Sequence, residues 1–210
     1  MKSFLRSFCL CCFVLASCAA LAADTKGKWL VYRPVVYQEN HDPSMVWLRD
    51  KTRLEVRYGK VTFEEVDAWK PGRKLAFAYR SDTGPVLLDV QTGNTLPVVS
   101  GWSKHPLDEY LEKLDPLKGS TAEMVEAQGD AASLWKAEMT RAYQDLKSRS
   151  KPAQAKLLDA AQSRWEQFKT AELKFLHSLD DEDAGTIGTV IAASRVAALY
   201  RERALALAER

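Results

Sequence analysis

Asp115-Pro116-Leu117-Lys118-Gly119 is where the chain changes its pattern. Proline removes a helical donor and glycine loosens the backbone, so the pair interrupts any regular element. Before this point the apolar residues come in short runs separated by turn residues. After it, alanine, leucine, glutamate and lysine dominate, and apolar residues recur at helical spacing. The reading is an α+β chain: a β-rich module over residues 24–115, then a helical module over residues 120–210 forming an antiparallel bundle of about three helices.

Outward to the left, the expected strands are Trp29 to Tyr37, Leu54 to Tyr58, Val61 to Val66, Leu75 to Tyr79, Val86 to Val90 and Thr95 to Val99. Gly59-Lys60 suits a two-residue hairpin turn with glycine at positive φ. Asp82-Thr83-Gly84 and Thr92-Gly93-Asn94 punctuate a three-stranded meander from Leu75 to Val99, in which Pro97 favours an edge. Pro106 to Leu114 has Leu107, Tyr110, Leu111 and Leu114 at the spacing of a short helix.

To the right, Ser120 or Thr121 caps a first helix that buries Met124, Ala131, Trp135, Met139, Ala142 and Leu146. A second begins near Pro152, whose missing N–H costs nothing in a first turn. Its expected buried face is Leu158, Ala161, Trp165, Phe168, Phe175 and Leu179. The third runs from about Thr186 with Ile187, Val190, Ile191, Leu199 and Leu207.

Residues 1–23 are set apart. Lys2 and Arg6, an apolar run from Phe8 to Ala16 and the tail Ala19-Ala20-Leu21-Ala22-Ala23 have the form of an export signal. Leu15-Ala16-Ser17-Cys18 also has the form of a lipobox, so cleavage near Ala22 or Ala23 and lipidation at Cys18 both stay open. All four cysteines, Cys9, Cys11, Cys12 and Cys18, lie here. A chain processed after residue 23 has no disulfide, cysteine nucleophile or cysteine metal site. Lys2 and Arg6 also account for the whole excess of 30 basic over 28 acidic residues. The remainder is balanced, which gives no electrostatic reason to expect nucleic acid or an anionic membrane as partner.

Thr121-Ala122-Glu123-Met124, Met139-x-x-x-Tyr143-x-x-Leu146, Ala161-Gln162-x-x-Trp165-x-x-Phe168, Ala171-Glu172 and Arg203-Ala204 together are similar to the helical domain of LprI-type lysozyme inhibitors. The resemblance covers Ser120 to Arg210 and does not reach the β-rich half. It implies a small helical domain with Met124, Tyr143, Gln162, Trp165, Phe168, Glu172 and Arg203 as its structural motif, and a lysozyme-inhibiting activity. Domains of this family carry cysteines that staple the helices, whereas this chain has Ala127, Leu173 and a position near Ser194 in the corresponding places.

Asp180, Asp181, Glu182 and Asp183 form an acidic segment between the second and third helices. Four clustered carboxylates suit docking on a cationic partner such as a basic lysozyme, and equally suit a solvated loop that favours the next helix through its dipole. Their spacing is not that of a calcium loop. Glu172 falls on the expected buried stripe, where a carboxylate needs a counter-charge; Arg203 or Arg201 is the expected partner. His41, His105 and His177 are widely separated and have no metal-ligand spacing. There is no Gly-x-Ser-x-Gly elbow and no glycine-rich phosphate loop. Trp47, Trp69 and Trp102 lie at strand ends or turns, as caps on a small core or as anchors for a partner.

These observations describe a non-enzymatic binding protein of the bacterial envelope, periplasmic or lipid-anchored, without cofactor or metal. Its expected partner is a protein, a lysozyme or another wall hydrolase, in a protective or immunity role. A structural or accessory envelope protein is the alternative, and a hydrolase the third class.

Overall fold

The computed structural model describes residues 27–42, 44–179 and 185–210. Two compact units meet in sequence between Leu114 and Asp115. Residues 1–23, expected to be an export signal, with Cys18, and the acidic segment at 180–183 lie outside the described residues.

The first unit has six strands: β1 (Val31–Asp42), β2 (Met45–Leu48), β3 (Arg53–Val56), β4 (Lys74–Arg80), β5 (Gly84–Asp89) and β6 (Thr95–Ser100). All pairs are antiparallel, and the sheet closes into a barrel in the order β1-β2-β3-β6-β5-β4. β1 makes the closure. Its residues from Val31 to Val36 pair with β4, and those from Tyr37 to Asp42 pair with β2 through two register shifts. Such irregularities bend a strand and raise its twist, which lets one strand serve two neighbours.

Alternation along the strands fills the barrel interior, because side chains two apart share a face. Val46 and Leu48, Leu54 and Val56, Leu75 and Phe77, and Leu96 and Val98 meet Val35, Tyr37 and Leu87 in one buried cluster, with Tyr58, Trp69 and Trp102 packed against it. Ala76 and Ala78, on the opposite face of β4, are buried too. A helix, α2 (Pro106–Leu114), contacts β1 and β4, and its Leu107 and Leu111 are buried.

Three expectations for this unit are corrected. Val61 to Val66 is not a strand: α1 occupies Phe63–Asp67, begun by a capping box in which the Thr62 hydroxyl accepts the Glu65 N–H at 3.3 Å and Glu65 accepts the Thr62 N–H at 2.8 Å. Two otherwise orphan donors are satisfied there, so the chain turns into a helix where its apolar residues alternate. Gly59 accordingly does not adopt the positive φ of a hairpin turn. Pro97 is not on an edge either, since β6 lies between β5 and β3. The β3–β6 pairing has a register shift between Glu55 and Val56, and the Pro97 carbonyl accepts the Arg57 N–H at 2.9 Å. β2, only four residues long, is an additional strand.

The second unit contains α3 (Thr121–Arg149), α4 (Pro152–Leu179) and α5 (Gly185–Ala208). With α1 and α2 there are five helices among the described residues, not about three. Ser120 caps α3 in a capping box with Glu123. α3 and α5 share the most extensive contact. Buried Ala131, Ala132 and Ala142 on α3, and Ala197 and Ala204 on α5, allow backbones to approach closely, with Leu134, Trp135, Leu199 and Leu207 filling the seam. α4 runs antiparallel to both and meets them through longer side chains.

Candidate binding site

Along α4 the residue order decides what reaches the neighbouring helices. Leu158, Gln162, Trp165, Lys169 and Glu172 recur at three- and four-residue steps and so share one side. On that side Gln162 accepts the Arg203 Nε–H of α5 at 3.0 Å and directs its own amide toward the Met139 sulfur of α3 at 3.7 Å. The Trp165 ring lies 5.8 Å from the Tyr200 ring, and the Arg203 guanidinium stands 5.9 Å above Trp165. Lys169 donates to the Tyr200 hydroxyl at 3.0 Å and to Glu166 at 2.6 Å, with its ammonium over both rings. Burial works against the charge of Lys169, but these acceptors outweigh it and raise its pKa.

Tyr143 of α3 donates to Asp159 of α4, and Lys147 reaches the same carboxylate at 2.8 Å. The hydrogen bonds from Lys147 and then Tyr143 hold the Asp159 carboxyl below the ordinary aspartate value. Deeper in α3, Glu138 is almost fully buried and takes both arms of the Arg141 guanidinium, at 2.6 and 3.0 Å. A buried carboxylate needs such bidentate pairing to offset lost hydration.

The expected motif is therefore partly assembled. Gln162, Trp165 and Arg203 come together; Tyr143 engages the start of α4; Met124 is half-buried in the first turn of α3. Glu172 pairs across to α5, but with Arg195 at 3.4 Å, not with Arg203 or Arg201. Arg203 is taken by Gln162, and Arg201 stands over the Trp135 ring at 5.7 Å. Phe168 and Phe175 are exposed, as is Ala161, contrary to the expected buried face. They lie on a row beside the one that packs, because α4 is apolar around more of its circumference than one seam can bury. Sequence reasoning missed Lys169, Tyr200 and Arg195; Lys169 stands four residues after Trp165 and three before Glu172, and Tyr200 three before Arg203, which is the signal that locates those two, whereas Arg195 is eight residues from Arg203 and is located only by its pairing with Glu172. Ala127, Leu173 and Ser194 are half-buried.

In the first unit Trp69 packs edge-on to Tyr37 at 5.5 Å, and Trp102 contacts Phe77 and His105. His105 is buried and its Nδ1 accepts the Leu107 N–H at 3.2 Å, a structural role at the start of α2. Trp47 lies under the Arg53 guanidinium at 4.1 Å. No group of three His, Cys, Asp or Glu side chains that could hold a metal ion occurs among the described residues. No described helix is long and apolar enough to cross a membrane.

Residues 116–207 match the family model Lysozyme inhibitor LprI. The match begins one residue after the change of pattern at Asp115 and ends one residue before the end of α5, so it spans the three long helices and excludes the barrel. Neither the curated proteins nor the solved structures contain a match to the chain. The LprI-matching helices include the Gln162–Arg203–Trp165 network and the Tyr143–Asp159 contact, so these polar and aromatic pairs hold the matched region together without a cysteine.

Proposed function

We propose that this protein is an exported binding protein of the bacterial envelope that inhibits lysozyme or a related wall hydrolase. The observation that carries the reading is the match of residues 116–207 to the lysozyme-inhibitor family. The basic and apolar start of the chain supports export, to the periplasm or to a lipid anchor at Cys18. Asp180, Asp181, Glu182 and Asp183 are the proposed contact. They connect the end of α4 to the start of α5, and their charge complements a basic lysozyme, steering encounter and adding charge-assisted hydrogen bonds. Protection of the producing cell, or immunity against a hydrolase delivered by a rival, follows from that activity.

The test is lysis of a cell-wall suspension by an animal-type lysozyme and by a bacterial wall hydrolase, titrated with the purified chain. Inhibition that weakens at least tenfold on combining Asp180→Asn, Asp181→Asn, Glu182→Gln and Asp183→Asn is expected. Inhibition untouched by neutralisation would move the contact elsewhere, and failure against both enzymes would refute the inhibitory reading.

A further inference from the structure

The row on α4 that its own bundle leaves uncovered has a regular pattern. Leu157, Ala161, Arg164, Phe168, Ala171 and Phe175 follow one another at steps of four, three, four, three and four, so they form one narrow stripe. At 1.5 Å per residue the stripe is about 27 Å long. Leu157 is 72% exposed, Phe168 52% and Phe175 57%. Ile191 of α5, 60% exposed, extends the stripe at its Phe175 end: it stands one turn before Arg195, whose guanidinium reaches Glu172.

The charge on this face has one sign. Lys156, Arg164 and Lys174 are exposed and have no ion-pair partner among the described residues. The three acids of α4 are all engaged elsewhere: Asp159 with Tyr143 and Lys147, Glu166 with Lys169, and Glu172 with Arg195. The face is thus apolar along its centre and cationic at Arg164 and along the flank of Lys156 and Lys174.

We propose that this face docks an acidic amphipathic helix of another protein. Steps of four and three are the seam that a second helix fills, knob into hole, and cations beside such a seam select a partner with carboxylates at its flanking positions. A second copy is disfavoured by its charge. The antiparallel register that sets Leu157 against the other copy's Phe175 brings Lys156 beside the other copy's Lys174 at both ends, and a parallel pairing sets each cation against itself. A lipid surface calls for a wider apolar sector than this stripe of six residues provides. The inference is independent of the inhibitory reading, because a basic hydrolase is repelled from this face.

The test uses the full chain and two synthetic amphipathic helices, each with leucine at every a and d position, one with glutamate and the other with lysine at e and g. The glutamate peptide should bind at least tenfold more tightly than the lysine peptide. Combined Lys156→Glu, Arg164→Glu and Lys174→Glu should reverse that preference, and Phe168→Ser with Phe175→Ser should abolish binding of either peptide, with unchanged circular dichroism in every variant. Equal affinity for the two peptides, or a preference unmoved by charge reversal, would overturn the proposal. So would sedimentation of the chain with phosphatidylglycerol vesicles in place of peptide binding, or a self-associated dimer that Phe168→Ser and Phe175→Ser dissociate.

Discussion

Gly101 shows how one position constrains the barrel. It follows β6 at φ +99°, and a Cβ placed there would stand 2.0 Å from the Arg53 carbonyl oxygen and 2.9 Å from the Leu54 Cα. Backbone atoms cannot yield as a flexible side chain can. Gly101→Ala is therefore expected to destabilise the barrel by about 2 kcal/mol or more, read from urea denaturation followed by tryptophan fluorescence. Asp89 acts through charge. It is buried at the end of β5 and accepts from Arg73 at 2.6 Å, Thr92 at 2.7 Å and the Gln91 N–H at 3.0 Å. Burial opposes its ionisation, yet these donors and the Arg73 charge prevail and hold its pKa below the ordinary aspartate value. A carboxylate lowered on folding stabilises the native state above its unfolded pKa, about 3.9, and that stabilisation is lost as the pH falls through the lower folded value. Asp89→Asn should cost about 1–3 kcal/mol at pH 7 and flatten the decline of stability in acid, measured as urea midpoints at successive pH values.

At the level of elements, caps decide where helices begin. Thr62→Ala removes the acceptor for the Glu65 N–H and should cost about 1 kcal/mol of barrel stability, because α1 carries buried Val66 into the core cluster. Trp135 is nearly fully buried on α3, and Trp135→Ala should cost about 3–5 kcal/mol in the helical unit, measured by thermal unfolding at 222 nm. These elements differ in how legible they were. α3 could be read because alanine, leucine and a capping serine all favour the same outcome, and its buried Ala131, Trp135, Met139 and Ala142 follow from spacing, whereas Ile191, one of the larger apolar residues of α5, is exposed. α1 was misread because Val61, Phe63 and Val66 suggest a strand, although Thr62-x-x-Glu65 carries the capping-box signature that overrides it. On α4 two apolar rows compete, and composition alone does not say which row packs; Trp165 with Gln162 on one side, against Phe168 and Phe175 on the other, is settled only by the partners on α5. β2 offers four residues and no alternation long enough to notice.

For the molecule as a whole, a six-stranded barrel precedes three long helices, and the lysozyme-inhibitor match confines itself to the helices. The change of pattern near Pro116 was visible in sequence because it is a change of period; the closure of the strands into a barrel was not, since β1 divides its pairing between β4 and β2 through register shifts that no local pattern announces. The helical unit reaches its packing through close alanine contacts and cross-helix pairs such as Gln162 with Arg203.

The most direct test of the inhibitory account is the equilibrium affinity of the purified chain for a basic lysozyme, measured by titration calorimetry at about 50 mM and about 300 mM salt, where screening differs strongly. The account predicts saturable binding that weakens with salt, by roughly tenfold across that range, and a salt dependence that disappears when residues 180–183 are neutralised. Absence of binding at low salt, or an affinity indifferent to both salt and neutralisation, would contradict it.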